Sequence, residues 1–244
     1  MITVEFKRLD MKNGMRVLDI GCGGGRHVCA ATRFPGIMAV GVDYSFDNMV
    51  QTRQSVKIET QYGLTKGKSI FLSGDITRLP FSSNFFDLVI CSEVLEHIPS
   101  CHQAVNEIIR VAKPGKSIVV SVPRFFPEKV CWALSQKYHQ VSGGHIRIFR
   151  KKELIQLFEL KGVKKWASHF AHSLHTPYWW LKCLVGPDRE DSVLVNLYHR
   201  FLVWDIMKQP QITFILDRLL NPIIGKSVVV YFQKTKTFAH SMEN

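Results

Sequence analysis

The chain has 244 residues, which is enough for one domain with a buried core, or for such a domain with an insertion. Hydrophobic residues make up 46% and charged residues 21%, so a predominantly disordered chain is excluded. The formal net charge of +12 leaves three kinds of partner open: a nucleic acid, an anionic membrane surface or an acidic small molecule.

Two features predict a cytoplasmic protein. The six cysteines form no CxxC pair, and no apolar leader segment follows the basic start of the chain. No apolar run reaches the ~20 residues that a bilayer crossing needs. The nearest candidate, 193–207, is interrupted by charged residues. We therefore expect a soluble protein, or a peripheral one that contacts a membrane only at its surface.

Short apolar segments alternate with helical patterns over the first two thirds of the chain. A helix is expected to begin near Arg26 and another to cover 103–112. Five strands are predicted, at 16–20, 38–43, 69–73, 86–92 and 116–122. The alternation of strands and helices is typical of a doubly wound α/β sheet.

The pattern changes in the last third. Residues 124–150 are expected to form a long connection, and a helix follows at 151–161. Two further strands are predicted at 163–170 and 227–233. Between them, aromatic and aliphatic residues recur at helical spacing.

This pattern gives a domain division. The α/β domain is predicted to comprise 1–170 and 226–234. Residues 171–225 would form a helical insertion, and 235–244 a flexible tail.

The strongest motif is VLDIGCGGG, in which the first strand ends near Asp19 and a GxGxG turn follows. Glycines such as Gly21 and Gly23 allow a tight turn and a close approach of a ligand to the backbone. The dinucleotide fingerprint needs a sixth-position glycine, where this chain has Arg26. Asp19 would repel a pyrophosphate but suits a ligand with a cationic amine.

Further acids stand at the ends of successive strands. Asp43 follows the glycine turn by about 20 residues, where a carboxylate binds ribose hydroxyls. Asp75 after the third strand could accept from an exocyclic amine, and Glu93 follows the fourth. Taken singly, such acids are more often helix caps or solvated residues. Their recurrence at the carboxyl edge of the sheet favours a ligand site.

The run VLDIGCGGG … GVD … GDITRLPF … FDLVICSEVLEHI … VAKPGKSIVVSVP resembles the class I S-adenosylmethionine-dependent methyltransferases. The similarity is greatest to the group that includes ubiquinone- and menaquinone-type enzymes and many small-molecule and lipid methyltransferases. It covers roughly 15–123, and more loosely 151–170 and 226–234. It implies a methyltransferase with a Rossmann-like seven-stranded sheet, order 3-2-1-4-5-7-6, whose last strand is antiparallel.

The resemblance also implies roles for single residues, with S-adenosylmethionine as cofactor. Asp19 and the glycine loop would hold the methionine moiety, Asp43 the ribose, and Ser92 and Glu93 would lie near the sulfonium. The full predicted cofactor set is Asp19, Gly21, Cys22, Gly23, Asp43, Tyr44, Asp75, Ile76, Ser92, Glu93 and His97. In it, Tyr44 would pack on the purine face and Asp75 with Ile76 would frame the adenine, while His97 is cofactor-side or structural.

The acceptor side is expected to come from two segments. Members of this family commonly cover the acceptor with helices ahead of the glycine motif. Only sixteen residues precede Val17, so we expect that this cover comes from elsewhere or is missing. Both 124–150 and 171–225 should lie above the carboxyl edge of the sheet. We therefore predict that together they form the acceptor pocket.

The positive charge is concentrated in one segment. Residues 124–165 carry ten basic and three acidic residues, a net +7, whereas 166–225 is neutral and holds nine aromatic residues. This combination favours a lipophilic acceptor and docking on an anionic membrane. A helical core with a solvated basic face explains it equally well. Nucleic acid is disfavoured because most basic residues are not interleaved with stacking aromatics.

Histidines supply the candidate catalytic residues. In GGHIRIF, a pattern similar to one found in this family group near the acceptor mouth, His145 is a candidate general base and Arg147 a candidate anion contact. A structural hydrogen bond is the alternative for each. HFAHSLH, 169–175, has neither helical nor strand spacing for a common face and no acid or cysteine nearby, so no metal is predicted.

The sequence thus predicts a methyltransferase acting on a hydrophobic small molecule or lipid. An RNA or protein methyltransferase is the first alternative. A cofactor-binding protein without turnover is the second.

Overall fold

The computed structural model describes residues 2–141 and 143–235, and its centre is a seven-stranded mixed sheet. The strands are β1 (Arg16–Ile20), β2 (Met38–Asp43), β3 (Lys68–Ser73), β4 (Phe86–Ser92), β5 (Ala112–Pro123), β6 (Val163–Ala171) and β7 (Ser227–Lys234). Their order is β3-β2-β1-β4-β5-β7-β6, and β7 runs antiparallel to both neighbours. This confirms the predicted Rossmann-like topology. Most of the predicted tail lies outside the described residues.

Helices cover the sheet and fill the space between β6 and β7. They are α1 (Arg26–Thr32), α2 (Phe46–Gln61), α3 (Cys101–Val111), α4 (Phe125–Leu134), α5 (Gln136–His139), α6 (Lys151–Glu159), α7 (His175–Val185), α8 (Val193–Lys208) and α9 (Gln211–Ile224). The last three form the helical insertion that the sequence predicted.

The central strands bring their carboxyl ends to one edge. β1, β2 and β4 are almost wholly buried, as parallel strands covered on both faces must be. Ile20 of β1 is in register with Val42 of β2 and with Cys91 of β4. The glycine loop, Asp43 and Glu93 follow these aligned positions closely, so they meet at the same edge.

Apolar layers pack against both faces of the sheet. On one face, Phe158 of α6 stacks on Phe232 of β7, with ring centroids 4.6 Å apart and both side chains fully buried. The neighbouring Tyr231 points to the other face, where its hydroxyl accepts a 2.8 Å hydrogen bond from the backbone N–H of Glu5. This bond fixes the N-terminal segment against the sheet.

Two regions differ from the sequence prediction. β5 begins at Ala112, although residue 112 was predicted to end a helix and the fifth strand was predicted to begin only at 116. The pairing of β4 with β5 shifts from Phe86↔Ala112 to Leu88↔Ser117, so residues 113–116 of β5 form a bulge. The Nζ of Lys113 donates to Asp87 Oδ1 at 2.8 Å, which holds the bulge. The predicted connection 124–150 also contains regular structure, namely α4 and α5.

The insertion starts and ends at the carboxyl end of β5. Ser227 pairs with Ala171 of β6 on one side and with Pro123 of β5 on the other. α7 packs on α4, α8 on α7, and α9 on β6. The insertion therefore stands at the edge of the sheet that carries the glycine loop, as expected.

Within residues 2–141 and 143–235, no helix is both long enough and apolar enough to span a bilayer.

Candidate functional site

A cavity of about 670 Å³ lies at the carboxyl edge of the sheet. Eight of the predicted cofactor residues line it: Gly21, Gly23, Asp43, Tyr44, Asp75, Ile76, Glu93 and His97. The other three, Asp19, Cys22 and Ser92, are buried directly behind this wall. The structure thus gathers residues from four strand ends around one space.

The glycine loop requires glycine for two separate reasons. Gly21 has φ +65°, and a Cβ there would lie 2.3 Å from Cγ2 of Val94. Gly23 has φ +51°, and a Cβ there would meet nothing within 4 Å. The backbone of Gly21 is therefore packed tightly against Val94, whereas Gly23 faces open space that a ligand can fill.

Asp43 connects the glycine loop to α2. Its Oδ2 accepts from the backbone N–H of Gly23 at 2.9 Å. Its Oδ1 accepts from the backbone N–H of Ser45 at 2.9 Å and from Nδ2 of Asn48 at 3.0 Å. A carboxylate offers about four acceptor positions, so a fixed and oriented Asp43 still has room for a ligand hydroxyl.

Asp19 is a buried carboxylate with an unmatched atom. Its side chain is 2% exposed, and its Oδ2 has no hydrogen-bond partner among the described residues. Its Oδ1 lies 3.7 Å from Nδ1 of His27, whose Nε2 accepts from the backbone N–H of Thr3. A buried carboxylate oxygen without a donor is costly, so this position fits a cationic amine supplied by a ligand.

Glu93 is held in an unusual backbone conformation by its neighbours. Its φ of +58° is rare for a residue other than glycine. Ser121 Oγ donates to Glu93 Oε1 at 2.8 Å and also lies 2.8 Å from Ser92 Oγ. The backbone N–H of Glu93 donates to Ser121 O at 2.9 Å. Ser92 therefore supports Glu93 through Ser121 rather than lining the cavity itself.

The predicted adenine side is partly open. Tyr44 is 84% exposed, and Ile76 is buried at 6%. Asp75 Oδ1 accepts from the backbone N–H of Thr77 at 2.7 Å, which closes a local turn. An exposed ring and a buried aliphatic side chain on the same cavity wall suit a flat aromatic group between them.

Cys22 faces inward from the loop. Its Sγ lies 3.7 Å from Thr52 Oγ1, and burial together with the charge of Asp19 raises its pKa to about 12. Cys22 therefore stays a neutral packing residue. Its backbone N–H donates to Val42 O at 3.1 Å, which is how the residue shapes the loop.

His145 is paired with a carboxylate that the sequence did not single out. Its Nδ1 is hydrogen-bonded to Oε1 of Glu128 on α4. Glu128 is buried and also accepts from Trp132 Nε1 at 3.1 Å and from the hydroxyl of Tyr138 at 3.4 Å. Burial acts to raise the pKa of Glu128, but the hydrogen bond and charge of His145, with the charge of Lys226 and the hydrogen bond of Trp132, together outweigh it and lower the pKa.

His97 joins this pair to the cavity. It lines the cavity, and its Nδ1 lies 3.2 Å from Gly144 O. Its ring is 4.9 Å from the ring of His145. The Glu128–His145 pair therefore stands behind the wall that His97 contributes, on the side of α4 and α5.

Glu96 is the most deeply buried acid near the site. It is fully buried, and neither carboxylate oxygen has a hydrogen-bond partner in the described chain. Burial, and then the charge of Glu93, raise the pKa of Glu96 well above its usual range. One ligand atom from each of Glu96, His97 and His145 lies within 4.8 Å of the other two, the spacing of a possible ion site. The sequence reasoning, which examined 169–175, did not anticipate this group.

Arg147 contacts Pro99, a residue that lines the cavity. Its Nη2 donates to the carbonyl oxygen of Pro99 at 3.0 Å. The structure shows a positioning contact for this residue. Its predicted contact with an anion stays a prediction.

Several site residues escaped the sequence reasoning. Asn48, His27, Ser121 and Glu128 each contact a predicted residue, yet none was predicted as a site residue, and only Ser121 lies in one of the quoted motifs. The spacing of Asn48 on the first turn after Asp43 is the one local signal among them. The others are brought in by tertiary packing.

Comparison with known proteins identifies the family. A model of the methyltransferase domain matches residues 11–162, which include every predicted cofactor and catalytic residue. The chain belongs to this methyltransferase-domain family. Together with the sheet order, this confirms a class I S-adenosylmethionine-dependent methyltransferase fold and its cofactor.

The curated relatives resemble only part of the chain. A sterol 24-C-methyltransferase of Schizosaccharomyces pombe is 38% identical over 108 residues, 44% of this chain and 28% of that protein. A cycloartenol-C-24-methyltransferase of Oryza sativa is 30% identical over 147 residues, 60% of this chain and 39% of that protein. The chain therefore spans well under half the length of either relative.

Solved structures agree on the fold. The YcgJ protein of Bacillus subtilis superposes with a TM-score of 0.61 at 16% identity, covering 95% of this chain and 96% of that one. At this identity the similarity concerns the fold alone.

Proposed function

We propose that this chain transfers a methyl group from S-adenosylmethionine to a hydrophobic small molecule or lipid. The observation that carries the proposal is a series of contacting rings from the cavity wall to the insertion. His97 lies 4.9 Å from His145, His145 lies 6.0 Å from Tyr138, and Tyr138 lies 5.7 Å from Trp179 of α7. An acceptor entering beside α7 would meet aromatic surface up to the cofactor cavity.

The cofactor side follows from the residues already described. Asp19 would receive the amino group, Asp43 the ribose hydroxyls, and Tyr44 with Ile76 the adenine. The sulfonium supplies an activated methyl group for in-line displacement, a reaction governed by positioning and exclusion of water. Glu93, fixed by Ser121, would shape the floor of the cavity near that methyl group.

A proton acceptor is available on the acceptor side. Glu128 fixes the orientation of His145 and stabilises a positive charge on its ring, as a base-orienting carboxylate does. His145 would therefore take a proton from a hydroxyl or an acidic carbon of the acceptor. An amine or thiol acceptor would have less need of it.

The named relatives support a lipophilic acceptor. Two of them are described as sterol and cycloartenol methyltransferases. Because the S. pombe comparison covers only 44% of this chain and 28% of that protein, the acceptor must be tested directly.

The test offers S-adenosylmethionine with a labelled methyl group to the full chain, together with lipid extract, total RNA or total protein. We expect label in the lipid fraction, and its loss in the Glu128→Gln variant. Label in RNA or protein would instead establish the first alternative. Calorimetric binding of the cofactor with no label in any fraction would establish the second, a binding protein without turnover.

A further inference from the structure

Helix α9 exposes an apolar stripe. Ile212, Ile215, Leu219 and Ile223 are 74%, 55%, 68% and 65% exposed, and their spacing of three and four residues places them on one side of the helix. Thr213 is the one buried residue of α9. Such a helix has its polar contacts on one side and leaves its apolar side uncovered.

Helix α8 also exposes apolar side chains. Its two buried residues are Val195 and Leu202, whereas Leu194, Leu197 and Trp204 are all exposed. A groove of about 530 Å³ between α7 and α8 is lined by apolar side chains with one cation at its border: Leu181, Leu194, Leu197, Tyr198, Arg200 and Phe201. We call the exposed apolar residues of α8 and α9, with this groove, the α8–α9 surface. It far exceeds a scatter of single exposed apolar residues.

A cluster of cations adjoins the α8–α9 surface. The guanidinium of Arg124 donates to the carbonyl oxygens of Asn221 at 3.2 Å and Pro222 at 2.9 Å, in the last turn of α9. Both Arg124 and Lys151 lie over the ring of Phe170, at 3.9 Å and 5.3 Å from its centroid. The apolar stripe therefore ends at a positively charged border.

Among the residues that the structure describes, the cations of this cluster form no ion pair with an acid. Burial lowers the pKa of Lys151, and the charges of Lys165 and Arg124 lower it further. Within the described ranges, 2–141 and 143–235, none of the three forms an ion pair. We define Arg124, Lys151 and Lys165 as the basic cluster.

We propose that the α8–α9 surface inserts into one leaflet of an anionic lipid bilayer, with the basic cluster on the lipid phosphates. An apolar helix face bordered by cations is the arrangement that holds a helix in the bilayer interface. A second copy of the chain fits less well, because it would bring a second unpaired basic cluster to the contact. The proposal deepens the proposed function by naming the surface through which a lipophilic acceptor arrives.

The test measures co-sedimentation of the full chain with vesicles, in the absence of methyl donor and acceptor. Vesicles of phosphatidylcholine are compared with vesicles of phosphatidylcholine and phosphatidylglycerol in equal parts. We expect clear binding to the anionic vesicles and much weaker binding to the neutral ones. Because no methyl transfer is involved, failure here would be distinguishable from failure of the proposed reaction.

Two kinds of variant separate the contribution of the basic cluster to vesicle binding from that of the apolar side chains. Lys151→Gln and Lys165→Gln should each reduce partitioning into anionic vesicles about fivefold, because each removes one interfacial cation. Leu219→Glu should reduce it about tenfold or more, because it replaces an exposed apolar side chain that would be buried in the bilayer with a charged one. Lys57→Gln and Ile58→Glu on α2, where Ile58 is 52% exposed, are matched controls that should bind as the unaltered chain does.

Two results would overturn the proposal. One is equal binding of the unaltered chain and Leu219→Glu to anionic vesicles. The other is a concentration-dependent dimer, seen by light scattering, that Leu219→Glu converts to a monomer. Retained calorimetric binding of S-adenosylmethionine shows that each variant is folded.

Discussion

Nδ1 of His145 is hydrogen-bonded to Oε1 of Glu128, a carboxylate 17 residues earlier in the chain. Glu128 lies on α4, whereas His145 lies in the loop before α6. The bond therefore holds together two parts of the segment between β5 and α6. It also leaves Nε2 as the ring nitrogen of His145 that the proposed proton transfer would use.

Glu128→Gln should impair the reaction without impairing cofactor binding. The amide cannot stabilise positive charge on His145, so we expect kcat to fall by about 100-fold for a hydroxyl or carbon acceptor. The calorimetric affinity for S-adenosylmethionine should not change. Glu153→Gln, at an exposed acid of α6, is the matched control. An unchanged kcat in Glu128→Gln would remove His145 from the role of base.

Asp43→Asn should weaken cofactor binding. The substitution removes the negative charge that orders the Gly23 backbone and Asn48, and it removes an acceptor for the ribose hydroxyls. We expect the dissociation constant for S-adenosylmethionine to rise by about tenfold to a hundredfold. Calorimetric titration measures it, with Asp47→Asn on the first turn of α2 as control. Equal affinities of the two variants would contradict the predicted ribose contact.

Gly21→Ala and Gly63→Ala form a matched pair with nearly the same backbone conformation. Their φ angles are +65° and +68°, but only a Cβ at Gly21 meets another side chain, Val94. Gly63→Ala should cost roughly 1–2 kcal/mol of unfolding free energy from its conformation alone. Gly21→Ala should cost about 1–3 kcal/mol more through overpacking. Urea unfolding measures both.

A second variant checks the cause at Gly21. Adding Val94→Ala to Gly21→Ala should recover most of the unfolding free energy that Gly21→Ala loses beyond Gly63→Ala, because it removes the clashing methyl groups. Failure to restore it would show that backbone strain, not the contact with Val94, dominates at this position.

The chain should lose stability in mild acid because of His175. Burial lowers the pKa of His175 to about 4, and the nearby Lys226 acts in the same direction against the opposing charge of Asp217. The unfolded chain binds this proton more tightly, so its contribution is fully present above pH 6.5 and is lost as the pH falls from there towards 4. Between pH 7 and pH 5 the expected loss is about 2 kcal/mol.

Urea unfolding at the two pH values measures this loss. His175→Asn should show a flatter dependence, whereas His102→Asn, at an exposed histidine of α3, should keep the original one. If the unfolding free energy of His175→Asn depends on pH as that of the unaltered chain does, the acid sensitivity belongs to other groups. One of these is His172, because burial lowers its pKa as well.

The sequence by itself determined the sheet and one wall of the site. Strand predictions for β1, β2 and β4 match the observed bounds, because each is a short apolar run ended by glycine, aspartate or a polar residue. Since parallel strands carry their ligand site at their carboxyl ends, Asp43, Asp75 and Glu93 could be placed before any contact was known. The helices of the insertion were also predictable, because aromatic and aliphatic residues recur there at helical spacing.

Only the tertiary structure decided which side chains act together. The pairs Glu128–His145 and Asp19–His27 and the support of Glu93 by Ser121 join residues from different elements, and no local pattern encodes such contacts. The same holds for exposure. The apolar residues of α9 have the periodicity of a core-facing helix, yet no part of 2–141 or 143–235 covers them. The net charge of +12 likewise follows from the sequence, whereas only the structure placed the basic cluster beside that exposed face.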